Sequence, residues 1–306
     1  MTKLLSIERA GRALIVSLAL SLVSSAAHAQ AWTPKKHDLT LALSYQALTA
    51  DKHLFSEAVT PSGSRALDLG TIHSNAYFLS GEYGIVDRFA VTADVAVVDA
   101  RYVGTDPEDP SLDDGSYHGG LQNASITLRY EAVSRPFVVT PFLGYTFPTR
   151  DYPTLGHASI GGDVSDTTAG VFLGRRLSPF LPDAYLHGSY SHSWIERVHG
   201  APRASNDAWG IEGGYFIGDL VALRAYGSWL RTNGGLDWFH DLNAANFHAH
   251  DAASAASYTQ VGGGAIFTAS RTVDVYVSYN AIIHGENTHN GRSLTVSTAW
   301  RPSGGR

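Results

Sequence analysis

The sequence predicts a twelve-stranded antiparallel β-barrel of the outer-membrane type. Three observations predict it. Apolar and polar residues alternate with a period of two, short and long connections alternate along the chain, and the N-terminus carries an export signal. A period of two gives each strand one apolar and one polar face. After residue 30 no apolar run approaches the about 18 residues of a membrane-spanning helix, so the alternating segments are the candidates to cross the membrane.

The N-terminus has the features of a secretory signal peptide. Basic residues precede an apolar run of 11 residues at 13–23, which is too short for the roughly 20 residues of a spanning helix. Positions 27–29 read Ala-His-Ala, a small-x-small cleavage site. An uncleaved anchor helix is the alternative. We therefore expect a signal peptide at 1–29 and a single barrel domain at 30–306.

Twelve segments carry the alternation. In the first of them, Leu41 and Leu43 alternate with Ala42 and Ser44. The segments are long for soluble strands, which usually have about 5–6 residues, but they suit tilted membrane strands of roughly 9–11 residues that extend into water. An exported soluble sandwich is the alternative, although its sheet edges would need protection. The predicted strands are 37–49, 71–84, 88–103, 119–131, 136–149, 164–177, 183–198, 206–217, 220–233, 256–269, 272–285 and 291–301.

The connections alternate in length along the chain. Tight ones lie at 85–87, 132–135, 177–182, 218–219 and 270–271. Long ones lie near 50–70, 104–118, 150–163, 199–205, 234–255 and 286–290. Outer-membrane barrels have short periplasmic turns and longer outer loops, and an even number of strands puts both termini in the periplasm.

Aromatic residues lie near the predicted strand ends, where the membrane meets water. Tyr and Trp favour these interfaces because one side of the ring is apolar and the other can form hydrogen bonds. The residues concerned are Tyr77, Tyr83, Tyr130, Tyr145, Phe147, Trp194, Trp209, Tyr215, Trp229 and Trp300.

Composition narrows the function classes. Cysteine is absent, which excludes disulfides, a thiolate metal site, a Cys nucleophile and a lipoprotein anchor. The net charge is −6 with no block of Lys and Arg, so a nucleic-acid partner is not expected. The expected partners are outer-membrane lipid with lipopolysaccharide, the barrel-assembly machinery and a small-molecule solute. No cofactor is expected.

The polar face of the strands should line the lumen. A charged side chain at the bilayer midplane would cost about 2–4 kcal/mol for Arg or Lys, so the charges must point inward. Two interpretations stay open: an ion-pair network that fills the barrel, or a polar constriction that selects solutes. Twelve strands lie between the filled eight-stranded barrel and the open 16–18-stranded porin, which favours a narrow path. The candidate path residues are Phe78, Glu82, Asp94, Arg129, Glu131, Phe142, Phe172, Arg176, Glu212, Arg224 and Asp274.

Several local motifs occur in order between residues 72 and 180. They are YGIVDRF at 83–89, SITLRYE at 125–131, PFLGYTFPTRDY at 141–152 and the strand at 161–176. This series resembles the outer-membrane barrel family labelled as the putative meta-pathway of phenol degradation. The resemblance implies a transporter of small, often aromatic compounds in a Gram-negative outer membrane. It supplies no catalytic residues.

Two loops carry possible metal ligands. His248, His250 and Asp251 form an H-x-H-D motif, and imidazole with carboxylate suits Zn, Cu or Ni. A solvated outer loop is the alternative. The acidic segment 104–115, which includes Glu108 and Asp113, could bridge divalent ions to lipopolysaccharide phosphates or could simply be solvated.

A His-x-Ser pair at His187 and Ser189 raises the possibility of an enzyme. Outer-membrane lipid hydrolases place base and nucleophile side by side on one strand, but the alternation turns this pair inward, away from lipid. We therefore expect a passive channel for small, possibly aromatic or hydrophobic solutes and not an enzyme. A plugged barrel that acts through its outer loops, by binding a ligand, metal or surface, is the alternative. A lipid-modifying hydrolase ranks third.

Overall fold

The fold is known from a computed structural model that describes residues 30–302. The expected signal peptide at 1–29 lies outside the described residues, so its cleavage stays a prediction. The described chain forms fifteen β-strands and one short 3₁₀-helix, η1 (Phe247–Ala249). Within it, no helix is long and apolar enough to cross a membrane.

Twelve of the strands close into one antiparallel barrel, in which β1 pairs with both β4 and β15. The remaining three, β2, β3 and β14, form a small separate sheet. A closed barrel leaves no strand edge unpaired, as a membrane requires. In chain order the strands are β1 (Leu39–Ala50), β2 (His53–Leu54), β3 (Ala66–Leu67), β4 (Thr71–Val86), β5 (Phe89–Val103), β6 (His118–Tyr130), β7 (Val138–Pro148), β8 (Asp166–Leu177), β9 (Leu181–Ile195), β10 (Ala204–Ile217), β11 (Val221–Gly234), β12 (Ser257–Thr268), β13 (Val273–Glu286), β14 (Thr288–His289) and β15 (Arg292–Trp300).

The predicted fold class is confirmed, since each of the twelve predicted segments overlaps one wall strand. Most bounds shift by one to three residues. The segment expected at 183–198 runs instead from Leu181 to Ile195. It begins earlier because the turn before it occupies only residues 178–180.

The two faces of the wall differ as the alternation predicted. On β1, the side chain of Leu43 is 59% exposed while that of Ser44 is 4% exposed. Leu79, Leu128 and Ile211 on other strands are likewise exposed. Such a continuous apolar outer surface would be unfavourable in water, so it is the surface that faces lipid.

The aromatic residues predicted at the interfaces also point outward. All of them except Phe147 are well exposed. Tyr83, Tyr215 and Trp300 lie towards the end that carries the chain termini, and Trp194 lies at the opposite end of β9. The barrel therefore presents aromatic rings near both membrane surfaces.

The connections alternate in length around the barrel. Tight turns at 87–88, 178–180, 218–220 and 269–272 lie at the same end as the termini, which is the periplasmic end. Long segments lie at the other end, and four of them pack together there. We call the four the loop cap: residues 51–70, 104–117, 149–165 and 235–256.

Apolar side chains bury the loop cap against the barrel mouth. Tyr152 and Ile160 join a buried cluster with Ile72 and Tyr102 of the wall strands. Phe55 packs edge-on against Trp238, with 5.9 Å between the ring centroids. These segments are thus fixed by packing, although the sequence had left a solvated loop open as an alternative.

Candidate functional site

The barrel encloses a cavity of about 520 Å³. Its walls come from inward side chains of the strands, and Asp251, Ala252 and Ala253 of the loop cap line its outer end. Gln30 lines its periplasmic end. Eight of the predicted path residues line it: Phe78, Glu82, Asp94, Arg129, Phe142, Phe172, Glu212 and Arg224.

The other three predicted path residues lie near the periplasmic rim. Asp274 is buried and paired with Arg301, which follows the last strand. Glu131 is half-buried just beyond β6 and accepts hydrogen bonds from Thr33. Arg176 is exposed to solvent near the end of β8. These three do not line the cavity.

One ion pair lies along the wall in the periplasmic half of the lumen, where it joins two strands that flank β5. Arg129 on β6 pairs with Glu82 on β4, and its Nη1 donates a hydrogen bond of 2.7 Å to the carbonyl oxygen of Gln30. The side chain of Arg129 is 5% exposed. A buried guanidinium needs such partners, because removing a charge from water without them is costly.

A second buried charge group lies across the lumen. Arg224 on β11 donates a hydrogen bond to Glu212 on β10, and the hydroxyl of Tyr185 donates to the same carboxylate at 2.6 Å. The guanidinium carbon of Arg224 also lies 5.0 Å from the centroid of the Tyr276 ring, a cation–π distance. The cavity therefore has a cation held between an anion and an aromatic face.

Aromatic rings form an apolar wall of the same cavity. Phe142 and Phe172 stack with 4.4 Å between centroids and 15° between planes. The ring of His187 lies 5.6 Å from Phe172. At Gly170, a Cβ atom would lie 2.5 Å from the Phe142 ring, so glycine leaves the room that this ring occupies.

The start of the described chain enters the periplasmic end of the lumen. We call residues 30–33 the N-terminal strap. Thr140 donates a hydrogen bond to the carbonyl oxygen of Ala31, which is fully buried. Trp32 meets Tyr185 edge-on at 6.2 Å, and a Cβ at Gly174 would lie 2.7 Å from that of Ala31. The strap thus narrows the lumen from the inside.

The predicted metal ligands separate into two places. His250 and Asp251 follow η1 and are buried, with His250 Nε2 3.3 Å from Asp251 Oδ1. Glu108 approaches the same nitrogen at 3.8 Å. His248 is exposed and lies beside Gly200 instead. The grouping is therefore Glu108 with His250 and Asp251, from two segments of the loop cap.

Further titratable groups are buried beside this grouping. Asp113 accepts hydrogen bonds from the backbone and the Nδ1 of His157. Although burial acts to raise it, these hydrogen bonds hold the pKa of Asp113 below its usual value. His53 and His289 face each other with 3.0 Å between their Nε2 atoms. Burial lowers the pKa of His289 to about 3, so this pair is neutral at pH 7.

The possible His–Ser catalytic pair faces the lumen, as the alternation predicted. His187 and Ser189 both line the cavity. A lipid-modifying enzyme would need them on the outer wall, where its substrate lies. The hydrolase interpretation therefore loses its geometric basis.

Some lumen residues were not anticipated from the sequence. Tyr185 and Tyr276 hold the second charge group, and the period-two pattern already placed both on inward positions beside charged residues. The N-terminal strap had no periodic signal, since it is too short. Its one clue is the apolar pair Ala31-Trp32 directly after the expected cleavage site.

Comparisons with known proteins support the fold. The sequence matches no protein-family profile, and no curated protein is similar to it at a significant level. An outer-membrane channel from Pseudomonas putida F1 aligns with a TM-score of 0.66 and 11% identity, over 90% of this chain and 100% of that chain. The NanC porin aligns with a TM-score of 0.50 and 10% identity, over 86% of this chain and 98% of that chain.

At these identities the likeness concerns the fold. With the closed twelve-stranded wall and its apolar outer surface, it shows a transmembrane β-barrel of the outer-membrane type. The resemblance to the family labelled for phenol degradation stays a prediction, because no family profile matches.

Proposed function

We propose that this protein is a passive outer-membrane channel for small aromatic or apolar solutes, with aromatic acids as the preferred class. One observation carries the proposal: a lumen cavity of about 520 Å³ combines stacked phenylalanine rings with guanidinium groups that are held by acidic partners. Small-molecule sites commonly have about 300–1,000 Å³ and pair apolar walls with a few placed polar groups. The alignment with a channel from Pseudomonas putida F1 agrees with transport.

The chemistry of the cavity favours a ring with a carboxylate. The Phe142–Phe172 wall would receive the ring by offset stacking. Arg224 and Arg129 would attract the carboxylate. A sugar lacks the flat apolar face and gains less from this wall, so the cavity should discriminate between solutes of similar size.

The path is narrow because side chains and backbone enter it from both ends. The N-terminal strap occupies the periplasmic half and the loop cap covers the outer mouth. Passage would require movement of one or both. The channel should therefore have low conductance for salt, in contrast to an open porin.

The test is permeation into vesicles that contain the refolded mature protein. Benzoate, glucose and KCl are compared with protein-free vesicles. We expect benzoate to enter faster than glucose by at least tenfold. Replacing Phe142→Ala should reduce this preference several-fold because the stacked wall is broken.

The matched control is Tyr145→Ala on the same strand, where the side chain points outward. That variant should keep the preference for benzoate. Equal entry of benzoate and glucose into wild-type vesicles would refute the aromatic specificity while leaving a general small pore. If neither solute entered above the protein-free rate, the channel proposal would be wrong.

A second candidate is a plugged barrel that acts through its outer loops. The observation that favours it is the packing of the loop cap, with buried apolar clusters around Phe55, Trp238 and Leu236. Failure of all three probes to permeate would favour this candidate.

A further inference from the structure

A buried triad of metal-ligand type lies in the loop cap, away from the lumen charges. Glu108 comes from the connection between β5 and β6, and His250 and Asp251 come from the connection between β11 and β12. The three side chains have exposures of 0%, 1% and 0%. Two segments distant in sequence thus bury two carboxylates and an imidazole together.

The spacing of the donor atoms suits one small ion. His250 Nε2 lies 3.3 Å from Asp251 Oδ1 and 3.8 Å from Glu108 Oε1. One donor atom from each residue lies within 4.8 Å of the others. Around a tetrahedral zinc ion with bonds of about 2.0–2.1 Å, neighbouring ligand atoms are about 3.3–3.4 Å apart. The His250–Asp251 distance already fits this geometry, and Glu108 has to move closer to reach it.

The tautomer of His250 is the one a metal requires. Its Nδ1 lies against the carbonyl oxygen of Phe247, which can only accept a hydrogen bond, so Nδ1 carries the proton. The lone pair is then on Nε2, the atom that faces the carboxylates. A backbone carbonyl that holds the remote N–H of a histidine is a common outer support of metal-binding imidazoles.

The charge of the triad also calls for a cation. Two carboxylates and one imidazole lie together with buried side chains. Among residues 30–302, Asp251 Oδ1 accepts no hydrogen bond although it is buried. A divalent ion would give this buried oxygen a partner.

Neighbouring hydrogen bonds hold the triad in place without a metal. Asp113 accepts a hydrogen bond of 2.9 Å from the backbone N–H of Glu108. The backbone N–H of Gly156 donates to Asp251 Oδ2 at 3.4 Å. The site therefore joins three segments of the loop cap: 104–117, 149–165 and 235–256.

We propose that Glu108, His250 and Asp251 bind one divalent transition-metal ion, best matched by Zn²⁺, and that this ion locks the loop cap. Imidazole disfavours Ca²⁺ and Mg²⁺, which take oxygen ligands. Asp251 also lines the lumen cavity, so a water molecule can complete the coordination from that side. Loss of the ion leaves two carboxylates facing each other and loosens the cap.

The experiment is a zinc titration of the full mature chain in detergent, purified without a histidine tag. Competition with a chromophoric chelator gives stoichiometry and affinity. We expect one Zn²⁺ per chain, and at least tenfold weaker binding after Glu108→Gln, His250→Gln or Asp251→Asn. His248→Gln is the control from the same segment and should bind as the wild type does.

Folding of each variant is checked by its heat-modifiable electrophoretic mobility. For a variant that does not fold, anomalous scattering from Zn²⁺-soaked crystals of the unaltered protein replaces the titration. A peak within bonding distance of His250 Nε2 supports the proposal. Three results would overturn it. They are loss of stoichiometric Zn²⁺ binding in His248→Gln, an anomalous peak away from His250 Nε2, and no binding at micromolar Zn²⁺.

Discussion

At the scale of single residues, the lumen depends on buried charges that have partners. Replacing Glu212→Gln leaves Arg224 without its anion while keeping the shape of the side chain. Breaking a buried pair by removing one partner costs about 3–5 kcal/mol. We therefore expect the barrel to lose about 3 kcal/mol of unfolding free energy, measured by urea titration in detergent micelles.

Two further variants check this prediction. The double variant Glu212→Gln/Arg224→Gln should recover part of the lost stability, because no unpaired charge remains. Removing the pair between Arg65 and Glu286, which is 40% and 38% exposed, should cost less than about 1 kcal/mol. Equal losses at the buried and exposed pairs would contradict the expected role of burial.

The sequence could predict the facing of these residues but not their partners. A period of two decides whether a side chain points inward, and Glu82, Arg129, Glu212 and Arg224 all line the cavity. Which acid meets which base depends on strand register. For example, Arg224 on β11 lies opposite Gly214 on β10, and this register brings it within reach of Glu212, two residues away. Register comes from pairing across the whole sheet and is not written in one strand.

At the scale of elements, the loop cap should respond to acid. His289 and His53 are buried and uncharged, and burial lowers the pKa of both, that of His289 to about 3. An exposed histidine in opened loops has a pKa near 6.5. Between about pH 6.5 and 3 the opened loops therefore bind a proton that the closed cap does not.

The sign of the effect follows from this difference. Stability of the closed cap is full above pH 6.5 and falls as the pH drops, by about 2 kcal/mol between pH 7 and 5 from His289 alone, with a further loss from His53. His157 and His250 lie near His53 in the same cap. Hydrogen exchange at the N–H of Asn290, which bonds to the carbonyl of Lys52, should show reduced protection at pH 5 after correction for intrinsic rates.

Variants separate this effect from a general loss of stability. His289→Gln should remove much of the pH dependence, whereas His240→Gln, at an exposed position of the cap, should leave it unchanged. Protection of Asn290 that is the same at pH 7 and pH 5 in the wild-type protein would show that the histidine pair does not govern the cap.

The elements differed in how well the sequence predicted them. Wall strands face lipid on one side and the lumen on the other, so the period of two has a physical cause along all twelve. The loop cap has no such periodicity, because its burial comes from contacts between segments far apart in sequence, such as Phe55 with Trp238. The seven alanines among residues 244–256 are the one sign in the sequence that this loop can pack closely.

At the scale of the whole molecule, the side of the wall on which a charge lies determines how much it destabilises the barrel. Ile211 is 54% exposed on β10 and lies between Tyr215 and Trp209, which also face outward. An arginine on the lipid face near the midplane costs about 2–4 kcal/mol. Ile211→Arg should therefore lower the unfolding free energy in lipid vesicles by about that amount, followed by tryptophan fluorescence in urea.

The matched control places an arginine on the lumen face of the neighbouring strand, β9. Ser191 on β9 lines the lumen cavity, where water and polar groups can solvate a guanidinium. Ser191→Arg should cost less than half as much and should change ion selectivity instead. A larger loss for Ser191→Arg than for Ile211→Arg would mean that the assignment of the two faces is inverted.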